Sequence, residues 1–271
     1  MDKIWLKNYP AGVPHDVDPD QYRSAAHLLE EAMRKHAASP FSVCMERWMS
    51  YGELDRHSAA LGAWLQGQGL EPGARVAIML PNVPQFAVTM AAVLRAGYTC
   101  VNVNPLYTAR ELEHQLKDSG ATAIVILENF AHTLAEVVDH TNVKHVVMAS
   151  MGDMLGFWYG QWITFAVRHL AKMVPAYELP LTGGRQVTSF KKALAMGARR
   201  TLQPSQANHD SIAFLQYTGG TTGLSKGAVL THRNIIAATL QAEAWFTPAL
   251  AKIGDLSKAN SIAALPLYHI F

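Results

Sequence analysis

The chain has 271 residues, 49% of them hydrophobic, and a formal net charge of +2, which is enough apolar material to bury one large core or two smaller ones. Two cysteines without paired spacing, Cys44 and Cys100, exclude a disulfide scaffold and fit a reducing cytoplasm. Charge is uneven: between 154 and 209 seven bases meet a single acid, Glu178, which points to a nearby anionic surface, and no nucleic-acid partner is expected because no nucleic-acid module accompanies the charge.

The opening Met1-Asp2-Lys3-Ile4-Trp5 lacks an apolar h-region and soon meets Pro10, Pro14 and Pro19, so no secretory leader is expected and residues 1–23 are read as an extended wrap. Ser24 offers an N-cap to a helix through 38, with Leu28, Leu29, Ala32 and Met33 on one face. A short hairpin over 41–45 and 48–51 precedes a second helix, 53–68, closed by Gly69. From 75 onward strands and helices alternate. Strands at 75–80, 98–103, 121–127 and 144–149 are separated by helices at 84–95, 108–119 and 130–140, the second opened by the capping box Thr108–Glu111. That alternation predicts an α/β fold of layered parallel-sheet subdomains.

Residues 154–174 form a long apolar stretch, yet Arg168 and Lys172 near its end argue against a membrane span. Two readings stay open. Leu155, Trp158, Tyr159, Trp162, Ala166, Leu170 and Met173 recur at helical spacing, as an interfacial helix with Arg185, Lys191 and Lys192 as supporting charge requires. The other reading buries those aromatics against the body, with Gly156 and Gly160 weakening the helix. After a short helix at 190–196, Pro204 is the expected subdomain joint. Residues 1–204 would form a first α/β subdomain with the N-terminal wrap and a basic, aromatic insert at about 154–200; residues 205–271 would begin a second, with strands at 211–215, 228–230 and 262–265 and a helix at 234–246.

Following the apolar run that ends at Leu215, the chain enters Tyr217-Thr218-Gly219-Gly220-Thr221-Thr222-Gly223-Leu224-Ser225-Lys226-Gly227-Ala228. Glycines free backbone N–H groups to face an anion, hydroxyls add donors and a lysine adds charge, so the composition is that of a phosphate cradle. The Walker spacing fails because Lys226 stands between Ser225 and Gly227. Gly223-Leu224-Ser225-Lys226-Gly227 does match the nucleophile elbow of α/β-hydrolases, which keeps a serine hydrolase using Ser225 as an alternative. Twelve histidines without a His-Glu-x-x-His or Cys-x-x-Cys pattern are read as scattered.

The loop resembles the signature phosphate loop of the AMP-forming acyl-activating superfamily, and Leu265-Pro266-Leu267-Tyr268-His269-Ile270-Phe271 is similar to that family's next motif. Val101-Asn102-Val103-Asn104-Pro105 through Leu112 resembles an early family segment, and Ile4-Trp5-Leu6-Lys7-Asn8-Tyr9-Pro10 looks like the bacterial branch that joins long-chain fatty acids to coenzyme A. Gly219 departs from the superfamily, where serine is commoner. The resemblance implies ATP bound along Tyr217–Ala228, with Lys226 neutralising the β and γ phosphates, Thr218 near magnesium, and Lys226, Thr222 and His269 as the catalytic set. It implies a long-chain fatty acid, ATP and CoA as substrates, with other acyl- or aryl-activating enzymes as the alternative. It also implies an N-terminal half, inactive alone, because the family's later segments have no counterpart here. A cytoplasmic protein touching the inner face of an anionic membrane is expected, and a homodimer is left open.

Overall fold

The computed structural model describes residues 3–218, 225–254 and 259–269. Chain order is α1 (Ala25–Lys35), β1 (Pro40–Cys44), β2 (Arg47–Ser50), α2 (Tyr51–Gln66), β3 (Arg75–Met79), α3 (Pro84–Arg95), β4 (Thr99–Asn102), α4 (Ala109–Ser119), β5 (Ala123–Leu127), α5 (Ala131–Val137), β6 (His145–Ala149), α6 (Phe157–Phe165), β7 (Gln186–Ser189), α7 (Phe190–Gly197), β8 (Ile212–Thr218), β9 (Lys226–Thr231) and α8 (His232–Leu250). Apart from the β1–β2 hairpin, the strands form one sheet in the order β7-β6-β5-β3-β4-β8-β9. All neighbours pair parallel except β8 and β9, which are antiparallel.

Parallel strands covered on both faces read as continuous apolar runs, and Val76 to Met79 and Ile124 to Ile126 are indeed fully buried. One core packs α2, α3 and α7 on one face through Leu61, Trp64, Phe86 and Phe190; the other packs α4 and α5 through Leu112, Leu116 and Leu134. Right-handed crossovers explain the split. The chain steps from β3 to β4 in one direction and from β4 back to β5 in the other, so α3 and α4 fall on opposite faces.

Several expected boundaries move for local reasons. The second helix starts at Tyr51 because Ser50 and Glu53 form a capping box, Ser50 Oγ accepting from the Glu53 N–H at 3.1 Å and Glu53 Oε2 accepting from the Ser50 N–H at 2.9 Å. It closes at Gly67, over which the Arg200 guanidinium lies. A Thr231–Asn234 box likewise starts α8 at His232. Strand β7, whose Gln-Val-Thr-Ser is polar because it lies at the sheet edge, is an addition, whereas 262–265 forms no strand.

The joint expected at Pro204 is not a break in the sheet. β8 pairs with β4 through Cys100–Phe214 and Val101–Leu215, and Gln66 pins the linker by exchanging hydrogen bonds with the backbone of Gln203. Helix α8 also shares a small core with Ala25 of α1. The N-terminal wrap crosses onto α8, where Tyr9 meets Trp245 edge-on at 5.1 Å and Asp20 pairs with Arg233.

Candidate functional site

Strands β3, β4 and β8 present their carboxyl ends at one side of the sheet, and the helices after β3 and β4 depart to opposite faces, the topology at which parallel α/β sheets seat their ligands. Asn82, just past β3, holds the chain there. Its Nδ2 donates to the carbonyls of Ala263 (2.8 Å) and Leu265 (2.9 Å), and its Oδ1 accepts from the Leu267 N–H at 2.8 Å. Those contacts satisfy backbone groups of residues 263–267 without a strand partner. Gln216 of β8 holds the next residues by donating from Nε2 to the Tyr268 carbonyl at 3.0 Å. His269 follows, exposed, its ring 4.7 Å from that of Tyr268.

The phosphate loop joins β8 to β9. Gly219, Gly220, Thr221, Thr222, Gly223 and Leu224 lie outside the described residues, as do Ile270 and Phe271. At the loop's base Thr218 and Lys226 are partners across the ladder and both are exposed, so a hydroxyl and an ammonium stand together at its mouth. Tyr217 is buried; its hydroxyl donates to Asp118 Oδ2 at 2.5 Å, and burial, reinforced by that carboxylate, pushes its ionisation far up. Gly227 lies under the Tyr217 ring, where a Cβ would meet ring carbons at 3.0 Å, so this glycine serves ring packing. Ala228 is exposed on β9.

Ser225 precedes β9 in a hairpin connection, and its carbonyl lies 3.0 Å from His114 Nε2. A carbonyl only accepts, so His114 carries its proton on Nε2 and that nitrogen is not a base for the Ser225 hydroxyl. The strand–turn–helix that an elbow requires is absent at Ser225, which removes the structural ground for the hydrolase alternative.

Along the ends of β4 and β8 runs a column of neutral amides that sequence reasoning passed over. Gln115 Nε2 donates to the Asn102 carbonyl at 2.7 Å, Asn102 Nδ2 donates to Gln216 Oε1 at 3.1 Å, and Gln216 reaches Tyr268. All three amides are buried, and Asn102 Oδ1 and Gln115 Oε1 have no partner among the described residues. The available signal was a polar residue inside an otherwise apolar strand, Gln216 within Phe214-Leu215-Gln216-Tyr217 and Asn102 at the end of β4.

The same edge is built differently past β5 and β6. Buried Glu128 accepts from Arg168 Nε at 2.9 Å and Nη2 at 2.6 Å; Asp153, whose carboxyl burial pushes up, accepts from the Ser150 N–H at 2.8 Å and faces Lys191 at 3.7 Å. These charges fasten α6 and the π turn Ala166–Leu170 to the body. Gly160, expected to weaken the helix, instead lets it approach Gly152, whose carbonyl a Cβ would meet at 2.2 Å. The aromatics face outward: Trp158 is 82% exposed and Trp162 57%, so within these residues they are not buried against the body. Two members of the expected interfacial set are corrected. Leu155 is buried, and Arg185 is enclosed by Asp139 and the carbonyls of Val138, Val143 and Pro180, so it offers no charge to a surface.

The family described as AMP-binding enzyme matches residues 29–271. The chain is 47% identical over 272 residues to the long-chain-fatty-acid–CoA ligase of Salmonella typhimurium, covering all of this chain and 47% of that protein, and 45% identical to the ligase of Haemophilus influenzae with the same coverage. It therefore spans about half the length of the curated relatives it matches. Among solved structures it resembles a long-chain-fatty-acid-CoA ligase of Archaeoglobus fulgidus, with a TM-score of 0.64 and 24% identity over 87% of this chain and 42% of that one, a likeness of fold.

Proposed function

The chain belongs to the AMP-binding enzyme family, and from that premise we propose that it is the phosphate-loop portion of an ATP-dependent, AMP-forming long-chain fatty-acid:CoA ligase. Its likeness to long-chain-fatty-acid–CoA ligases along its whole length carries this reading. A fatty carboxylate attacks the α-phosphorus of ATP, pyrophosphate leaves, and the CoA thiol then displaces AMP from the acyl-adenylate. The departing pyrophosphate needs negative charge stabilised, the task that preorganised amides, hydroxyls and a cation perform in a crevice. Lys226 neutralises the β and γ phosphates, and the amides and hydroxyls of Thr218, Gly219, Gly220, Thr221, Thr222 and Gly223 bind their oxygens, with Tyr217, Leu224, Ser225, Gly227 and Ala228 framing the loop. His269 lines the acyl-adenylate site.

A magnesium ion fits this setting. Thr218 offers a hard hydroxyl oxygen at the loop's mouth, and among the described residues no group of three or more acidic, histidine or cysteine side chains forms an all-protein cage, as suits an ion held chiefly by phosphate oxygens and water. When bound, it supplies positive charge to the leaving phosphates.

Full-length protein given ATP, magnesium and a long-chain fatty acid should release pyrophosphate, and release of ADP would overturn the assignment. For the serine-hydrolase class the contrary result is labelling of Ser225 by a fluorophosphonate probe.

The exposed aromatic helix supports a cytoplasmic protein working at the inner face of the membrane, from which its acyl substrate is drawn. No helix of the described residues is long and apolar enough to cross a bilayer. Phe157, Trp158, Trp162 and Phe165 would dip into the interface, where aromatic rings are favoured. With Arg168 engaged by Glu128 and Arg185 enclosed, the aromatics outweigh charge, and lipid binding should depend only weakly on salt.

A further inference from the structure

We infer that Gln216 is a positioning residue that locks the Tyr268–His269 segment onto the end of β8, so that this strand end and the histidine motif move as one unit. The placement of His269 matters for catalysis only on the ligase reading above; the lock itself rests on geometry alone.

Gln216 sits two residues before the loop's base, on the same face of β8 as Thr218. Its amide is oriented from below, because Asn102 Nδ2 donates to Oε1 and thereby aims Nε2 at the Tyr268 carbonyl. Asn102 is in turn a register partner of Gln216 across β4 and β8, and its own carbonyl is held by Gln115 from α4. Three elements thus converge on one backbone oxygen adjacent to His269.

The chemistry argues for a specifying role. A core built only for stability would use apolar residues here, since buried acceptors such as Asn102 Oδ1 and Gln115 Oε1, which have no partner among the described residues, weaken it. Asn82 clamps residues 263–267 but does not reach Tyr268, whose carbonyl Gln216 holds while its ring packs on the core.

Hydrogen exchange followed by mass spectrometry on the 271-residue chain tests the lock without any requirement for activity. In Gln216→Leu, peptides covering 262–269 should exchange about tenfold faster, the equivalent of one buried hydrogen bond, while those covering β4 and β5 keep their protection. Gln216→Glu, which keeps the shape and loses the donor, should behave alike and covers the case in which the leucine variant fails to fold. Exchange of 262–269 within about twofold of the parent in either folded variant overturns the proposal. In full-length protein the same variants should lower kcat for adenylation while leaving KM for ATP within about twofold, as expected when positioning for the transition state is lost. Accelerated exchange without any adenylation in the parent would sink the ligase reading and leave the lock standing; accelerated exchange with kcat unchanged would sink the link to catalysis.

Discussion

The carboxyl edge of the sheet is fastened in two ways. Past β5 and β6 it uses charges, Glu128 with Arg168 and Asp153 with Lys191, to hold an exposed aromatic helix. Past β4 and β8 it uses the neutral amides of Gln115, Asn102 and Gln216 to hold the Tyr268–His269 segment at the end of β8. The difference separates tasks by electrostatics. Buried charge is strong when paired and costly when broken, and so suits an anchor; amides hold position without adding a net charge of their own.

The largest effect should break function and spare the fold. Lys226→Ala in full-length protein removes the exposed cation at the loop's mouth and should cut the adenylation rate at least 100-fold, about 3 kcal/mol, with an unchanged circular dichroism spectrum. Adenylation within about tenfold of the parent would take Lys226 out of the phosphate site.

The charged end should show the reverse. Arg168→Leu leaves Glu128 buried and unpaired and should cost about 2–3 kcal/mol in urea unfolding, the lower end of the range because Arg168 is itself partly exposed. Adding Glu128→Leu should recover much of that loss. If Arg168→Leu stayed stable yet lost adenylation, the division of labour between the two ends would be wrong.

A pH series supplies the background for both. His232 lies at the opposite edge, buried, with its Nδ1 accepting from the Ala25 N–H, and burial, aided by His209, lowers its pKa to about 4. The folded state therefore holds it neutral, and the unfolded chain binds the proton more readily. Its contribution is present above the unfolded value near 6.5 and drains away as pH falls toward about 4, so stability should drop by about 2 kcal/mol between pH 7 and 5. His57 and His145, also lowered chiefly by burial, add to the same slope. His232→Gln should flatten it; an unchanged slope in that variant would exclude His232 as a source.

The smallest stability effect sharpens the picture of the aromatic helix. Trp158→Ser with Trp162→Ser should change unfolding free energy by less than about 0.5 kcal/mol per site, because both rings are exposed, yet should abolish flotation with anionic vesicles. Unchanged lipid binding in this folded variant would end the interfacial role.

Much of this was legible in the chain. Thr108 and Glu111 announced α4, and the Val- and Ile-rich runs announced the buried parallel strands. What escaped were contacts whose partners stand far apart: Asn82 and Leu265 are separated by 183 residues, Gln216 and Tyr268 by 52. Local periodicity carries no information about such pairings. The direction of the aromatic helix was ambiguous for a related reason, since a tryptophan stripe looks the same whether it meets protein or solvent, and only the Gly152–Gly160 contact and the Glu128–Arg168 pair decide it.

The insertion of β8 beside β4 has a consequence for how the protein is made. Asn102 and Gln216, side by side in the sheet, are 114 residues apart in the chain. At ribosomal speeds of about 5–20 residues per second, β4 waits on the order of ten seconds for its outer neighbour after it has emerged. Strands β3 to β6 can associate in that interval, leaving an apolar hydrogen-bonding edge open to other nascent chains. The order of synthesis thus makes the strand that carries the phosphate loop a late closing piece of the sheet, and a ribosome stalled before residue 212 would display the unguarded edge of β4.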